Sequence, residues 1–375
     1  MSFADDNMFQ SEVMANNVTE GYTGDVTQNP VETFGGWFTS IHGYSSLIVC
    51  LFGIPTNIIN ITVLSRKDMR NPTNALLCWL AVSDLLTMMP YVPFVIHFYC
   101  AFDPSDSSPE KLTFSWVMYM LFLINFVATT HTISNWLGVS LAVFRYVQLR
   151  STEKGTVAKR RLYSTIQKVI AVVYIGSTLL LIPNYMTNKI VEQKDEDNNT
   201  LYIMEDIKLG TNATRPIVLV NVLTYSIVTK LIPCILMTVF SGSLLISLNV
   251  RGRERRRRLS VTSTNFRRET RQAKTTRMLL VVIILFLLTE FPHGMLILIS
   301  ATVPDFYYRV YLPLGDLMDI IALINNAINF LLYCVMSTQF RTKFLQMYFN
   351  KKTSFKDMER TQLTTSLNRT TMTFA

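Results

Sequence analysis

Seven stretches of this 375-residue chain are apolar over the length that an α-helix needs to cross a bilayer. A crossing takes about 20 mainly apolar residues, because the hydrocarbon core is about 30 Å thick and each helical residue adds about 1.5 Å. Lipid offers the backbone no hydrogen-bond partner, so helices suit these segments best. We therefore predict an all-α membrane protein, a seven-transmembrane helix bundle with spans at roughly 42–64, 74–100, 114–147, 163–187, 217–250, 276–302 and 311–336.

The charged residues between these stretches are sorted by sign, which predicts how the chain crosses the membrane. The segments after the first, third and fifth stretches are basic, and the densest block runs from Arg251 to Arg258. The alternate segments, 101–113 and 188–216, are rich in Asp and Glu. Because Lys and Arg collect on the cytoplasmic side, we predict a multi-pass protein of the plasma membrane with an extracellular N-terminus and a cytoplasmic C-terminus.

The division of the chain into regions follows from these spans. We expect residues 1–40 to form an extracellular tail, 41–337 the membrane domain, and 338–375 a cytoplasmic segment. Residues 339–349 are basic and amphipathic, which predicts a short eighth helix along the membrane surface. The chain then ends in a Ser- and Thr-rich tail, either a substrate for kinases or simply a disordered polar segment. Sequons for N-glycosylation lie on the predicted outer side at Asn17, Asn198 and Asn212.

Composition argues against several classes of function. The chain is 49% hydrophobic and 16% charged, and its net charge of +9 lies in short blocks beside the apolar stretches. A nucleic-acid surface would need a basic face interleaved with aromatic residues. The four histidines and five cysteines lack the spacing of a metal site or a catalytic set. We expect no enzyme activity, no metal site, no resident cofactor and no nucleic-acid partner.

An ordered set of short motifs lies in six of the seven stretches. The set comprises Asn57, Leu80-Ala81-Val82-Ser83-Asp84, Arg145-Tyr146, Pro233, Pro292 and Asn329-Phe330-Leu331-Leu332-Tyr333. Over about residues 41–345 the chain resembles the rhodopsin-like, or class A, G-protein-coupled receptors. Three shorter segments are similar, more narrowly, to the invertebrate, nematode-type receptors for myosuppressin and FMRFamide-like peptides: Trp79 to Cys100, Glu290 to Gly294 and Asn325 to Phe340.

The resemblance implies what the chain does. We expect it to bind an extracellular amidated neuropeptide, FMRFamide-like or myosuppressin-like, and to activate a heterotrimeric G protein, Gi/o rather than Gq. Arrestin and receptor kinases are the further partners that the resemblance implies. Reception of a small chemosensory molecule is the alternative. Transport is a weaker one, because the sequence shows neither inverted repeats nor broken half-helices.

Several positions depart from the family pattern. Phe144 stands where the family has an acid before the third-helix arginine, Glu290 replaces the tryptophan before the sixth-helix proline, and Phe330 replaces the seventh-helix proline. The third-helix cysteine of the usual outer disulfide is Met120 here, and segment 188–216 contains no cysteine. Mechanisms that depend on those residues therefore do not carry over.

Asp84 lies deep within the second stretch, where an ionised group is costly unless it has a partner or a role. The resemblance places Ser134, Asn325 and Asn329 around it as a sodium-binding cluster linked to activation. An Asp84 carboxyl group held neutral by hydrogen bonds is the alternative.

Lys230 and Glu290 are two further charges within the membrane. Each lies about 13 residues from the predicted outer end of its helix, so the two share a depth of about 20 Å. Adjacent helices could join them in a buried ion pair, which would suit a switch or a register lock. The alternative is that the Lys230 side chain reaches into a water-filled cavity.

FMRFamide-like peptides end in arginine and an amidated aromatic residue, so the resemblance implies an acidic site above an apolar floor. Asp316 and Asp319 are the candidates for the acidic site, near the outer end of the seventh stretch where we expect water to reach them, and Glu290 is a deeper one. The candidates for the floor lie on the second stretch: Tyr91, Phe94, His97 and Phe98. Solvated acids and ordinary aromatic packing are the alternatives.

Arg145 and Tyr146 end the third stretch where it meets the cytosol. The resemblance implies that they contact the G protein, and that Tyr333 and Pro292 take part in activation. An arginine anchored to lipid phosphate is the alternative. Because Phe144 cannot hold Arg145 by charge, we also expect measurable signalling without a ligand.

Overall fold

Seven helices long and apolar enough to cross a membrane form the body of the computed structural model. The structure describes residues 29–150, 156–195, 198–206, 208–209, 214–257 and 263–349. The first three helices are α1, Pro30–Leu64; α2, Pro72–Val95, which continues as a π-helix over Ile96–Ala101; and α3, Phe114–Arg150. The prediction of a seven-helix membrane bundle is confirmed.

The later helices are interrupted or joined by irregular turns. α4 covers Thr156–Leu180 and resumes as Ile182–Thr187, while α5 covers Pro216–Thr224, a π-helix at Tyr225–Leu231, and Ile232–Arg257. α6 is Ser263–Thr302, a short π-helix follows at Tyr307–Tyr311, α7 is Gly315–Met336, and α8 is Thr338–Tyr348. α3 is the most deeply buried helix and packs against α2, α4 and α5.

α1 begins well before the predicted span, which started at residue 42. The Asn29 side chain accepts a hydrogen bond from the Val31 amide at 3.2 Å, and Pro30 occupies the first helical position. Such a cap and a proline are favoured helix starts, because the first amide groups have no partner within the helix. α1 therefore includes the last residues of the predicted outer tail and is about 50 Å long.

A small β-hairpin between α4 and α5 is the one departure from an all-α fold in the described residues. β1, Ile190–Lys194, pairs antiparallel with β2, Thr200–Met204, and Ile190 lies opposite Met204. Acidic residues led us to treat segment 188–216 as a loop, although Thr, Tyr and Ile in β2 are good strand formers. All five cysteines of the chain are free thiols, and none lies in the hairpin.

α8 lies against the inner ends of α1 and α7. Its start is capped by the Ser337 side chain, which accepts a hydrogen bond from the Phe340 amide at 3.3 Å. Lys343 forms an ion pair with Asp68 of the first inner turn at 2.5 Å, and that hydrogen bond lowers the pKa of Asp68. The Tyr348 hydroxyl lies 2.7 Å from that of Thr62 on α1. These contacts hold the predicted eighth helix beside the bundle.

Candidate functional site

The two acids at the outer end of α7 are buried, so the expectation that water reaches them is wrong. Asp316 is 6% exposed, and Asp319 is 4% exposed. The Asp316 carboxylate accepts hydrogen bonds from the Tyr99 hydroxyl at 2.9 Å and from the Thr39 hydroxyl at 2.6 Å. Asp316 thus joins α7 to α1 and α2. Both residues are therefore enclosed by the bundle rather than solvated.

The aromatic side chains proposed as a ligand floor lie in one apolar cluster. Tyr91, Phe94 and Phe98 are buried there together with Met120 of α3 and Met204 of the hairpin. The Tyr91 hydroxyl also lies 2.9 Å from the His42 ring nitrogen. The floor is therefore packed and closed in this structure.

His97 differs from its neighbours on α2 because it faces the outer turn. Its ring stacks on that of Trp116, with centroids 3.8 Å apart and planes within 10°. Its Nε2 atom lies 3.0 Å from the carbonyl oxygen of Lys111. These contacts hold the segment before α3 against α2. His97, which the sequence placed in the ligand site, therefore has a structural role here.

Lys230 and Glu290 meet at the centre of the bundle. The Lys230 ammonium group lies 2.7 Å from Glu290 Oε2, and each side chain is 1% exposed. His131 of α3, which the sequence did not single out, also contacts Glu290. Its Nε2 atom lies 3.0 and 2.9 Å from the two carboxylate oxygens. Asn135 donates to Glu290 at 3.3 Å and to the Thr229 carbonyl at 2.9 Å. We call His131, Lys230 and Glu290 the central triad; it joins α3, α5 and α6.

Close approach of α5 and α6 makes the Lys230 to Glu290 contact feasible. Lys230 lies in the π-helix of α5, where the extra residue in the turn changes the direction of the side chains. Opposite it is Gly294, where an added Cβ atom would lie only 2.8 Å from the Lys230 Cβ. The Ser226 hydroxyl donates to the Gly294 carbonyl at 2.8 Å. A glycine and a π-helix together bring the two charged side chains within contact.

Asp84 borders a cavity of about 40 Å³ in the inner half of the bundle. Its carboxylate accepts hydrogen bonds from Ser134 at 3.1 Å and Asn329 at 3.0 Å. Asn325 lines the same cavity, and so do His131 and Asn135. The structure thus brings together all four residues of the predicted sodium cluster.

The donor set of this cavity fits a small guest. The volume is enough for one water molecule or a small ion. Asn135 Oδ1 is buried without a hydrogen-bond partner among the described residues, and a buried acceptor of this kind calls for a water or a cation. Asp84 would supply the negative charge that oxygen-liganded cations prefer.

Three of the residues predicted for G-protein coupling and activation, Arg145, Tyr146 and Tyr333, lie at the inner ends of α3 and α7. Arg145 donates to the Gln148 side chain at 3.1 Å, and its Nε atom is buried without a partner among the described residues. The Tyr146 ring packs on Phe240 with centroids 5.7 Å apart. Tyr333 is buried in the apolar cluster that contains Phe144.

The remaining predicted residues are spread over the molecule. Pro292 lies inside α6, and its ring is exposed on the surface of the bundle. Asn198 is exposed in the turn of the hairpin, with a φ angle of 63°. Asn17, Asn212 and the Ser- and Thr-rich tail after residue 349 lie outside the described residues. So do the side chains of the basic block from Arg251 to Arg258.

Comparison with known proteins agrees with this architecture. The chain is 29% identical to the G-protein coupled receptor dmsr-1 of Caenorhabditis elegans over 84% of its own length and 69% of that protein. It is 24% identical to the sex peptide receptor of Drosophila melanogaster, covering 84% of this chain and 74% of that one, and 24% identical to the FMRFamide receptor of the same fly, covering 82% and 53%.

A solved structure and a family profile complete the comparison. Squid rhodopsin superposes with a TM-score of 0.63 at 17% identity, over 84% of this chain and 86% of the rhodopsin, which shows a shared fold. The profile described as serpentine type 7TM GPCR chemoreceptor Srw matches residues 44–351. Members of this group are receptors rather than enzymes. The chain therefore belongs to the Srw family of serpentine seven-transmembrane G-protein-coupled receptors.

Proposed function

We propose that this receptor binds an amidated neuropeptide, FMRFamide-like or myosuppressin-like, from outside the cell and activates Gi/o at the plasma membrane. The observation that carries the proposal is the pair of buried acids at the outer end of α7, Asp316 and Asp319. An ionised acid within a bundle is costly unless it has partners or a role. A cationic ligand supplies such a role. The FMRFamide receptor of Drosophila melanogaster among the relatives supports the same ligand class.

The two acids also account for a preference for amidated peptides over their free-acid forms. A peptide arginine pairs with a carboxylate through charge-assisted hydrogen bonds, which are about twice as strong as neutral ones. A free terminal carboxylate near Asp316 and Asp319 would be repelled, whereas an amide is neutral and can donate. We assign Asp319, which lies about one helical turn further along α7 than Asp316, to the ligand arginine.

The test is a second-messenger assay in cells that express the receptor, using amidated FMRFamide-like and myosuppressin-like peptides and their free-acid forms. We expect saturable responses to the amides and weak or absent responses to the acids. Pertussis toxin should abolish the response if Gi/o carries it. Equal potency of amides and acids would contradict recognition of the amidated end.

A single substitution tests the role assigned to Asp319. Asp319→Asn should lower amide potency at least about tenfold, the loss of one charge-assisted contact. Asp305→Asn is the matched control, because it makes the same chemical change at an exposed outer position. Undiminished potency in Asp319→Asn at normal surface expression would remove that residue from the site.

We further propose that the Asp84 cavity holds an allosteric sodium ion. The Asp84 carboxylate supports this assignment, and so does Asn135 Oδ1, which accepts no hydrogen bond from the residues that the structure describes. Sodium should weaken agonist binding to the native receptor, and Asp84→Asn should remove that effect. If sodium changes agonist affinity in neither protein, the cavity holds water rather than sodium.

The inner face and the tail complete the proposed pathway. We assign contact with the G protein to Arg145 and Tyr146, and recruitment of arrestin after phosphorylation to the Ser- and Thr-rich tail. The Arg145 Nε atom, which is buried and has no hydrogen-bond partner in the described part of the chain, supports the first assignment. Truncation after residue 349 should abolish arrestin recruitment while G-protein activation persists.

Reception of a small chemosensory molecule is the second candidate, favoured by the description of the matching family as chemoreceptors. The cluster of Tyr91, Phe94 and Phe98 is packed, and a small ligand would have to displace less of it than a peptide would. This function would be favoured if the surface-expressed receptor responded to small cationic odorants and to none of the peptides.

A further inference from the structure

His42 on α1 is a buried histidine that none of the sequence motifs includes. It is 0% exposed, and its Nε2 atom lies 2.9 Å from the Tyr91 hydroxyl and 3.3 Å from the Ser46 hydroxyl. Its other ring nitrogen, Nδ1, is buried without a hydrogen-bond partner among the described residues. Buried polar atoms are almost always paired, so this nitrogen calls for a water molecule or a ligand group.

A glycine brings this part of α1 close to α2. An added Cβ atom at Gly43 would lie 2.7 Å from the Cβ atom of Tyr99, so a larger residue has no room there. Thr39 and His42 lie three residues apart, which places them on one face of α1. The Thr39 hydroxyl donates to Asp316 of α7, and the His42 ring lies 4.8 Å from that of Tyr99, measured between centroids. α1 thus contributes two polar side chains beside the acid of α7.

Tyr99 connects His42 to Asp316, because its hydroxyl donates to that carboxylate at 2.9 Å. Tyr91, the partner of the other His42 nitrogen, belongs to the apolar cluster that contains Phe94. His42 therefore lies between an acid and an apolar cluster. A ligand group that fits both neighbours carries hydrogen-bonding atoms next to an aromatic ring, as an amidated aromatic residue does.

The hydrogen-bonding atoms of His42 and Asp316 match those of a primary amide. Such an amide has a carbonyl oxygen that accepts and two N–H groups that donate. An ionised carboxylate has about four lone-pair sites, and the hydroxyls of Thr39 and Tyr99 use two of those on Asp316. His42 donates from Nδ1 when its Nε2 accepts from a hydroxyl. A terminal carboxylate in place of the amide has no proton to donate, and the acid repels it.

We propose that His42 and Asp316 bind the amidated C-terminus of the ligand. The amide N–H donates to the Asp316 carboxylate, and the amide oxygen accepts from His42 Nδ1. The aromatic ring beside that amide enters the cluster of Tyr91 and Phe94, and the arginine before it pairs with Asp319. This assignment rests on the proposed peptide ligand, and it adds a residue of α1 that distinguishes an amide from a free acid.

Two substitutions separate the roles of the two nitrogen atoms of His42. Asparagine and glutamine both carry N–H donors; the shorter side chain places them near Nδ1 and the longer one near Nε2. Cells that express the full-length receptor are challenged with FMRFamide and with its free acid. We expect His42→Gln to lower amide potency about tenfold, the loss of one hydrogen bond, while free-acid potency changes little. His42→Asn should keep the native preference for the amide.

A purely structural role for His42 predicts the reverse order, because His42→Asn loses the contact with Tyr91 and His42→Gln keeps it. A native amide preference in His42→Gln would therefore overturn the proposal. Ser40→Gln is the control, since it introduces the same side chain at an exposed position of α1 and should change neither potency. If His42→Gln does not reach the surface, Asp316→Asn replaces it. Free-acid potency should then rise relative to amide potency, and an unchanged ratio would also overturn the proposal.

If FMRFamide does not activate the native receptor, thermal unfolding of purified receptor decides the matter without the peptide. N-acetylphenylalaninamide carries the aromatic ring and the amide but no arginine, and a molecule that binds the folded state raises the melting temperature. At millimolar concentration it should stabilise the native receptor more than N-acetylphenylalanine does, and His42→Gln should remove the difference. That result would refute the peptide class and keep the amide subsite. Equal effects of the two compounds on the native receptor would refute both.

Discussion

Lys230 and Glu290 are single residues whose partners explain why charges persist at the centre of the bundle. Glu290 accepts hydrogen bonds from the Lys230 ammonium group, the His131 ring and the Asn135 amide. A buried ion pair adds little stability over apolar packing, but loss of one partner leaves an uncompensated charge. The central triad is therefore better suited to fixing one arrangement of α3, α5 and α6 than to adding overall stability.

Substitutions in the triad test this argument. Glu290→Gln and Lys230→Met should each destabilise the receptor by about 3 to 5 kcal/mol, since each leaves a buried charge unpaired. The charge-reversed double variant, Lys230→Glu with Glu290→Lys, should be more stable than either single variant, because His131 can accept a hydrogen bond in its other tautomer. Thermal unfolding of purified receptor measures the differences. A double variant no better than the worse single variant would argue against coupling.

The sequence identified two members of the central triad, Lys230 and Glu290, but not His131. Lys230 and Glu290 stood out because each is a charge within an apolar stretch. A lone histidine is usually a satisfied packing residue, so His131 drew no attention. A signal was nevertheless present: His131 lies 14 residues before Arg145, which places it about 21 Å further into the membrane than that arginine.

The contact between α5 and α6 depends on the shape of the two helices as elements. The π-helix of α5 and the glycine of α6 meet at Lys230, where a larger residue than glycine has no room. Gly176 of α4 offers the opposite case, because an added Cβ atom there would meet nothing within 4 Å. Two glycines in membrane helices thus have different requirements.

Alanine substitution at these glycines should separate the two cases. Gly294→Ala should destabilise the receptor by about 1 to 3 kcal/mol, since overpacking forces the helices apart. Gly176→Ala should be neutral or slightly stabilising, because alanine is the better helix former. Melting temperatures of the two variants measure the contrast. Similar melting temperatures would mean that α5 and α6 tolerate a wider separation.

The N-terminal cap of α8 gives a second prediction for a single element. Removing the Ser337 hydroxyl should cost about 1 kcal/mol locally, because the Phe340 amide loses its acceptor. Backbone amides of 338–348 should then exchange with deuterium faster in Ser337→Ala. Thr342→Ala removes a hydroxyl inside the same helix that caps nothing, so it serves as the control. Unchanged exchange in Ser337→Ala would show that the Lys343 and Tyr348 contacts suffice.

The elements were predictable to different degrees, for physical reasons. Hydrophobic length gave the seven spans, since any membrane crossing needs it. The start of α1 was missed because a helix above the membrane needs only a cap, and Asn29 with Pro30 supplies one. The hairpin was missed because acidic residues in segment 188–216 favoured a loop over the strand formers of β2, and because packing of Leu201 and Met204 on the bundle helps to order it. The π-helices leave no periodic signal that a window of apolar residues can detect.

At the scale of the whole molecule, the receptor is an equilibrium between resting and active arrangements. A ligand or an internal contact shifts that equilibrium only by the difference between its interaction free energies in the two states. Phe144 is buried in an apolar cluster and offers Arg145 no charge to hold it at rest. Arg145 hydrogen-bonds the nearby Gln148 instead, a neutral partner.

This arrangement predicts signalling without agonist. Surface-expressed native receptor should show G-protein activation above that of cells without it, and Phe144→Asp should lower the basal level because an acid can pair with Arg145. Phe144→Leu keeps the position apolar and should leave the basal level high. Surface labelling corrects each value for expression. A silent native receptor would mean that other contacts, with the central triad first among them, hold the resting state.

The five free thiols bear on how this protein is made and handled. Proteins stapled by disulfides lose about 2 to 5 kcal/mol when those bonds are reduced, and they need an oxidising compartment to mature. Here the outer hairpin is held by packing and hydrogen bonds, which no reductant attacks. Dithiothreitol should therefore leave the receptor folded, and synthesis in a reducing cell-free extract supplied with lipid should yield the same outer face as synthesis through a secretory pathway.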